Sequence, residues 1–432
     1  MTVRRFTRRH AIGGVTAGAL LAGLLVAAPA HAQPVPSPGL DEAALDASLQ
    51  AVHEAGIHGL YSAADTGTGE RWRGAAGVAD VTTGRPTTPQ MRHRVGSVTK
   101  SFVAVAVLQQ VAAGRVDLDA PVGAYLPGLL PEAQGSAVTV RMLLNHTSGI
   151  GDYVAGAFPS LGEGSGASLD ENRLDRVAPE ELVRIGLAAP PTGAAGERHA
   201  YSNTNYIIAG LLMEEVTGQD VEDYLAERVI APAGLRHTSL PRTAAIRGPH
   251  AGMYEALYGL LDPPRDYRTY DPSWFWTAGA LVSTAADLDA FYAALFDGTL
   301  LPPEQLAEMQ RTVPVEDAAG QVVGAYGLGI YPAQFTCGTF WGHDGVVWGA
   351  GTMAFADPDG GRQVAVGSTL TKYQTVGEDG MLEPHPADAA LVQHLNVALC
   401  GTEIPDPTAL PRLAASSATP LPGAGTATGA PR

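Results

Sequence analysis

The chain has 432 residues, with 44 acidic against 27 basic side chains and a formal charge of −17. Such a surplus of acid leaves no basic stripe to neutralise phosphates and argues against a nucleic-acid partner. Two distant cysteines and the lack of a His-Glu-x-x-His helix leave no metal site to propose, and the length suffices for one large core or two closely joined subdomains.

Residues 1–32 carry Arg4, Arg5, Arg8 and Arg9 and no acid, then a Gly/Ala/Leu-rich run ending Ala30-His31-Ala32. Basic head, apolar middle and small-residue exit are the three parts of an export signal, with cleavage expected near Ala32-Gln33 and a secreted product. The alternative, a membrane anchor, is opposed by the Ala and Gly content and by that exit, so no stable membrane span is expected. Thr7-Arg8-Arg9 hints at the twin-arginine route. In an exported chain the even pair Cys337 and Cys400 reads as a disulfide.

Next, Leu40 to Ala55 has helical spacing, and short strands follow around His58–Ala64 and Arg71–Ala76, with Asp65-Thr66-Gly67 between them as a turn. From Ser97 to about Leu240 the pattern is of helices joined by Gly/Pro/Ser-rich loops, the longest near Pro159–Ser168. Strands are expected again at Phe340–Val347, Gly351–Ala356 and Gln363–Leu370, the last two joined by Asp357-Pro358-Asp359-Gly360-Gly361, and a helix from Pro386 to Cys400 closes the core. The fold class is therefore α+β, an α/β/α sandwich whose antiparallel sheet is assembled from both chain ends, with a mostly helical region inserted between them. The catalytic domain is expected over residues 33–400, and the Pro/Ala/Thr-rich tail 401–432 is expected to be disordered.

The chain uses arginine 25 times and lysine twice, at Lys100 and Lys372. A guanidinium holds its proton near neutral pH, whereas a buried amine can give one up, so Lys100 is wanted for something other than fixed charge. It stands three residues after Ser97, at the head of an apolar stretch with no charge before Arg115 and with Gly114 as its stop. On a helix those positions share a face, which makes Ser97-x-x-Lys100 a candidate nucleophile and base. Tyr201-Ser202-Asn203 precedes an amphipathic helix, Tyr206 to Thr217, where it could serve either as a cap or as part of a site. His343-Asp344-Gly345 leads into Val346-Val347 and alone reads as a surface turn.

Ser97-x-x-Lys100, Tyr201-x-Asn203 and His343-x-Gly345, in that order, resemble the three motifs of the penicillin-recognising serine hydrolases. The tyrosine makes the set similar to the branch of class C β-lactamases and secreted actinobacterial D-alanyl-D-alanine carboxypeptidases. Arg94 to Phe102, Tyr125 to Pro131, Tyr201 to Asn205 and Tyr326-Gly327-Leu328-Gly329 resemble their counterparts there, as does the placing of both cysteines. The resemblance implies that Ser97 is acylated, with Lys100 and Tyr201 sharing the proton transfers as base and acid in an order the sequence leaves open. It implies that Asn203 bonds the substrate amide and orients Lys100, and that the N–H groups of Ser97 and Val346 hold the oxyanion. His343 and Gly345 would complete the pocket wall, and Trp274 would line the cleft or lie in the core.

It further implies a monomer without cofactor, acting on a small peptide or ester, first of all a peptidoglycan stem peptide, and acylated by β-lactams. The sequence also departs from the pattern. The carboxypeptidases hold the substrate's terminal carboxylate with hydroxyls after the third-motif histidine and an arginine on the preceding strand, where this chain has Asp344, Val346 and Tyr331. The expected function is D-alanyl-D-alanine carboxypeptidase, with esterase or D-amino-acid amidase and then β-lactamase as alternatives on the same machinery, and a catalytically silent wall-fragment binder as the non-enzyme alternative.

Overall fold

The computed structural model describes residues 39–377 and 382–405. The expected export signal, residues 1–32, and the part of the expected disordered tail beyond residue 405 lie outside the described residues.

Seven strands form the central sheet, in the order Tyr331–Phe335, Gly338–Val347, Ala350–Ala356, Gln363–Ser368, Gly59–Asp65, Arg71–Asp80 and Arg85–Pro86. Their pairings are antiparallel throughout. The two ends of the chain meet where Gly59–Asp65 pairs with Gln363–Ser368. The Gln363–Ser368 strand is wholly buried, and alternation divides it between the two faces, Val364 and Val366 to one and Ala365 to the other. On the Val364 face lie the helices Glu42–Glu54 and Pro386–Cys400, the first capped by Asp41, whose carboxylate accepts from Ala44 N. The opposite face presents Ala63, Ala354, Ala356 and Ala365, small enough for the helix Ala285–Phe296 to pack closely.

The predicted strands and terminal helices are present, most with ends shifted by one to four residues. The sequence reading passed over the edge strand Tyr331–Phe335, in which Tyr331, Ala333 and Phe335 alternate on the buried face while Pro332, which lacks a backbone N–H and argues against a strand, is tolerated at the edge. Leu370–Thr371 separates from the end of the Gln363 strand and pairs instead with Tyr254–Glu255. Past Cys400 residues 401–403 are exposed, but the chain returns to the core at Ile404, and Asn396 Nδ2 donates to Thr402 O at 2.7 Å. Cys337 and Cys400 are joined by a disulfide that ties the edge hairpin to the last helix. Among the described residues no helix is long and apolar enough to cross a membrane.

The inserted helical region surrounds the helix Thr99–Ala112, in which every residue from Thr99 to Leu108 is buried. Phe102 stacks on Phe291 with ring centroids 3.6 Å apart, joining this helix to the one that backs the sheet. Gly114, at φ +68°, lets the chain turn away at its end.

Candidate active site

Ser97 lies on a single 3₁₀ turn, Gly96–Val98, and Lys100 on the first turn of the helix that follows. The sequence reading put both on one α-helix. A 3₁₀ turn eclipses positions i and i+3, so the two side chains still converge. Gly96 stands at φ +58°, and a Cβ there would lie 2.7 Å from Val346 N, while one at Gly345 would lie 2.0 Å from Val95 O. Only two glycines let the nucleophile turn and the Gly338–Val347 strand come this close, and their contact brings the backbone of Val346 beside that of Ser97.

The Lys100 amine is wholly buried and donates to Ser97 Oγ at 3.1 Å, Asn203 Oδ1 at 2.9 Å and Ala278 O at 2.7 Å. Burial lowers its pKa to about 7, opposed by the nearby carboxylates of Asp152 and then Asp344. Near neutral pH it can therefore lose its proton and turn a lone pair to the serine hydroxyl. Asn203 opens the helix Asn203–Thr217, and both its backbone N–H and its side-chain Nδ2 donate to Asp152 Oδ2 at 2.8 Å. That pair of bonds fixes the amide flip and leaves Oδ1 facing Lys100. Ser202 does not cap the helix through its side chain; its hydroxyl donates to Gly151 O at 3.0 Å.

The Lys100 Nζ lies 4.9 Å from the centroid of the Tyr201 ring. The Tyr201 hydroxyl is buried and makes no hydrogen bond of ordinary geometry. Burial holds its pKa well above the usual tyrosine value, and the Ser97 hydroxyl works in the opposite direction. Behind it, His146 is fully buried at φ +59°, a conformation in which histidine is enriched over most residues. Its Nδ1 accepts from Ser202 N at 3.2 Å, and its ring lies 4.1 Å from that of Tyr201. Nδ1 being the acceptor, the proton of the neutral ring sits on Nε2.

His343 is also fully buried, and burial lowers its pKa to about 3. Its Nδ1 meets Asp344 O, which can only accept, so Nδ1 carries the proton and Nε2 accepts from the Tyr326 hydroxyl at 2.8 Å. On the neighbouring strand the Tyr331 hydroxyl donates to Asp344 Oδ1 at 3.0 Å. Trp274 packs on Phe158, and its indole N–H donates to Asn172 O at 3.1 Å, which puts it in an aromatic cluster that also holds Phe275, Tyr270 and Trp348.

The structure thus brings together Ser97, Lys100, Tyr201, Asn203, Gly345 and Val346, with His343 on the same strand as Gly345 and Val346. Asp152, His146 and the Ala278 carbonyl were missed, and Tyr326, which heads one of the strings that carry the resemblance, was given no role. Asp152 and His146 sit in Asn145-His146-Thr147-Ser148-Gly149-Ile150-Gly151-Asp152, a run of short polar residues and glycines after a helix. That run was the available signal, because polar groups next to a buried helix need partners. Among the described residues no group of three or more His, Cys, Asp or Glu side chains could hold a metal.

Comparison with known proteins shows the family and the fold. The family model described as Beta-lactamase matches residues 45–384, and the chain belongs to that family, with its mixed fold of helices and a mainly antiparallel sheet. A solved D-stereospecific amidohydrolase from a Streptomyces species superposes with a TM-score of 0.72 at 34% identity, covering 84% of this chain and 99% of that one. D-amino acid amidase from Ochrobactrum anthropi SV3, complexed with D-phenylalanine, superposes with a TM-score of 0.69 at 25% identity, covering 83% and 97%. Esterase EstB from Burkholderia gladioli is 37% identical over 209 residues, 46% of this chain and 52% of the esterase. The chain spans about half the length of the curated relatives it matches.

Proposed function

We propose that the chain is a serine hydrolase that forms an acyl-enzyme on Ser97 and acts on amides or esters of D-amino acids. Neutral Lys100 takes the Ser97 proton as Oγ attacks the carbonyl, and the developing oxyanion is held by the N–H groups of Ser97 and Val346. The C–N or C–O bond then breaks, and Tyr201 passes a proton to the departing amine or alkoxide. Water reverses these roles to release the acid and regenerate Ser97. Asn203 keeps Lys100 aimed and offers its amide to the substrate, while neutral His343 closes the wall.

The observation that carries the choice of substrate is the Tyr331–Asp344 hydrogen bond. Where the carboxypeptidases have groups that bind a terminal carboxylate, this chain has a carboxylate of its own, and Asp152 adds a second acid beside Asn203. Such a site suits an uncharged or amine-bearing substrate better than an anionic one. The amidohydrolase that the chain covers almost completely supports the same reading. D-alanyl-D-alanine carboxypeptidase, expected from the motif strings, is the second reading. A secreted, monomeric protein that β-lactams acylate fits both.

Side-by-side rates on a D-amino-acid amide, its L-enantiomer, a neutral aryl ester and a D-Ala-D-Ala peptide test the choice. The D-amide and the ester should be turned over well and the peptide poorly; efficient release of terminal D-alanine would restore the carboxypeptidase reading.

A further inference from the structure

The second lysine of this arginine-rich chain, Lys372, is also committed to a buried partner. Its amine donates to Glu255 Oε2 at 2.7 Å, and the Glu255 side chain is wholly inaccessible. The same oxygen accepts from Thr371 Oγ1 at 3.0 Å and from Gly349 N at 3.3 Å, and Oε1 accepts from Leu257 N at 2.9 Å. Gly349 N donates as well to Thr371 Oγ1 at 2.9 Å. A buried carboxylate is costly, and one surrounded by four donors marks a place where the fold needs a fixed point.

The point it fixes is the turn Trp348-Gly349, between the strands Gly338–Val347 and Ala350–Ala356. Gly349 is at φ +74°, and a Cβ there would lie 2.1 Å from the Met253 backbone, so the turn is pressed against the segment that carries Glu255. Trp348 reaches the other way, with ring centroids 4.8 Å from Phe158 and Phe275 and 4.9 Å from Tyr270. Three residues before the clamped amide is Val346, whose backbone meets Gly96 at the nucleophile turn with no space for a side chain between them.

We infer that Glu255, with Thr371 and Lys372, is a positioning unit for the Val346 N–H in its role as oxyanion donor. The inference rests on the acyl-enzyme reading. Clamped at Gly349 and butted against Gly96, the strand end has one position left for that amide. Without the clamp the turn can lift from Met253, and the N–H swings away from the carbonyl it should polarise.

The carbonyl stretch of an acyl-enzyme made with a cinnamoyl ester reads this directly, because a well-placed oxyanion donor lowers its frequency. Glu255→Gln and Thr371→Val should each move the band to higher wavenumber. They should also lower kcat about 10-fold with KM within about 2-fold, less than the ~100-fold that loss of an oxyanion donor costs. Thr371→Val leaves the buried ion pair intact and serves if Glu255→Gln does not fold. An unmoved band in a variant that forms the acyl-enzyme, with any rate loss following thermal stability, would overturn the positioning role. Native protein that forms no acyl-enzyme would overturn the hydrolase reading and this role with it, a different result.

Discussion

The two walls of the site differ in how far they keep to the pattern of the carboxypeptidases. On the helical wall, Ser97, Lys100, Tyr201 and Asn203 all match; Ser97 and Asn203 both accept from the same buried amine, and the Tyr201 ring lies beside it. On the strand wall the backbone is kept, with Gly345 and Val346 against Gly96, while Asp344, Val346 and Tyr331 replace the groups that would hold a carboxylate. In the proposed function, bond-making chemistry sits on the first wall and substrate choice on the side chains of the second. A chain can therefore change its substrate while the nucleophile and its base stay as they are.

The largest expected effect breaks the first wall alone. Ser97→Ala should lower hydrolysis of a neutral ester by at least about 10⁴-fold with an unchanged melting curve, since among the described residues no other hydroxyl receives the Lys100 amine. Lys100→Arg should cost about 10³-fold, because the guanidinium keeps its positive charge but cannot accept the serine proton. Activity that survives either change within 10-fold would remove Ser97 and Lys100 from the chemistry. Mass analysis after β-lactam treatment should add one acyl group, on the peptide that holds Ser97.

That wall was the legible one. Ser97 and Lys100 are three residues apart, so a local rule places them together whether the turn is 3₁₀ or α. Tyr201 and Asn203 are likewise close in sequence. The grip of Asp152 on Asn203 spans 51 positions and needs the tertiary fold, as does the bond from Tyr331 to Asp344 across two strands. That one antiparallel sheet is built from both ends of the chain could be inferred from the strands expected there, though not the order of its strands. The Tyr331–Phe335 edge strand was passed over although Tyr331, Ala333 and Phe335 alternate along its buried face, because Pro332 on the other face argues against a strand anywhere but at an edge. Trp274 was open to two readings, and the packing that puts it in the aromatic cluster comes from distant Phe158 and Asn172.

A middle-sized effect should come from the second wall. At an effective dielectric of ~20, two carboxylates ~4 Å apart repel by roughly 4 kcal/mol, and solvent reduces that figure. Asp344→Thr should raise kcat/KM for a D-Ala-D-Ala peptide at least about 10-fold and change that for a neutral ester little. Adding Tyr331→Arg should raise the peptide rate further, because the guanidinium would then have no aspartate to pair with and could receive the incoming carboxylate. Equal changes on both substrates would show that Asp344 does not meet the carboxylate, and the contrast between the walls would lose its basis in charge.

The smallest effect tests whether the walls are coupled at all. Lys100 must be unprotonated to act as base, and with its pKa lowered to about 7 the activity on a neutral ester should fall on the acid side of neutrality. Of the two carboxylates that oppose this lowering, Asp152 acts the more strongly, but it also holds Asn203, so changing it would disturb geometry together with charge. Asp344 acts on Lys100 through charge from the other wall. A negative neighbour favours the protonated amine, so Asp344→Asn should lower the Lys100 pKa further and carry the acid limb of the kcat/KM profile to lower pH. The expected gain is about 2- to 3-fold at pH 6 and none at pH 9, where the amine is already neutral in both proteins. An acid limb that stays in place would mean that the charge of the strand wall does not reach the base, and that specificity and basicity can be altered independently.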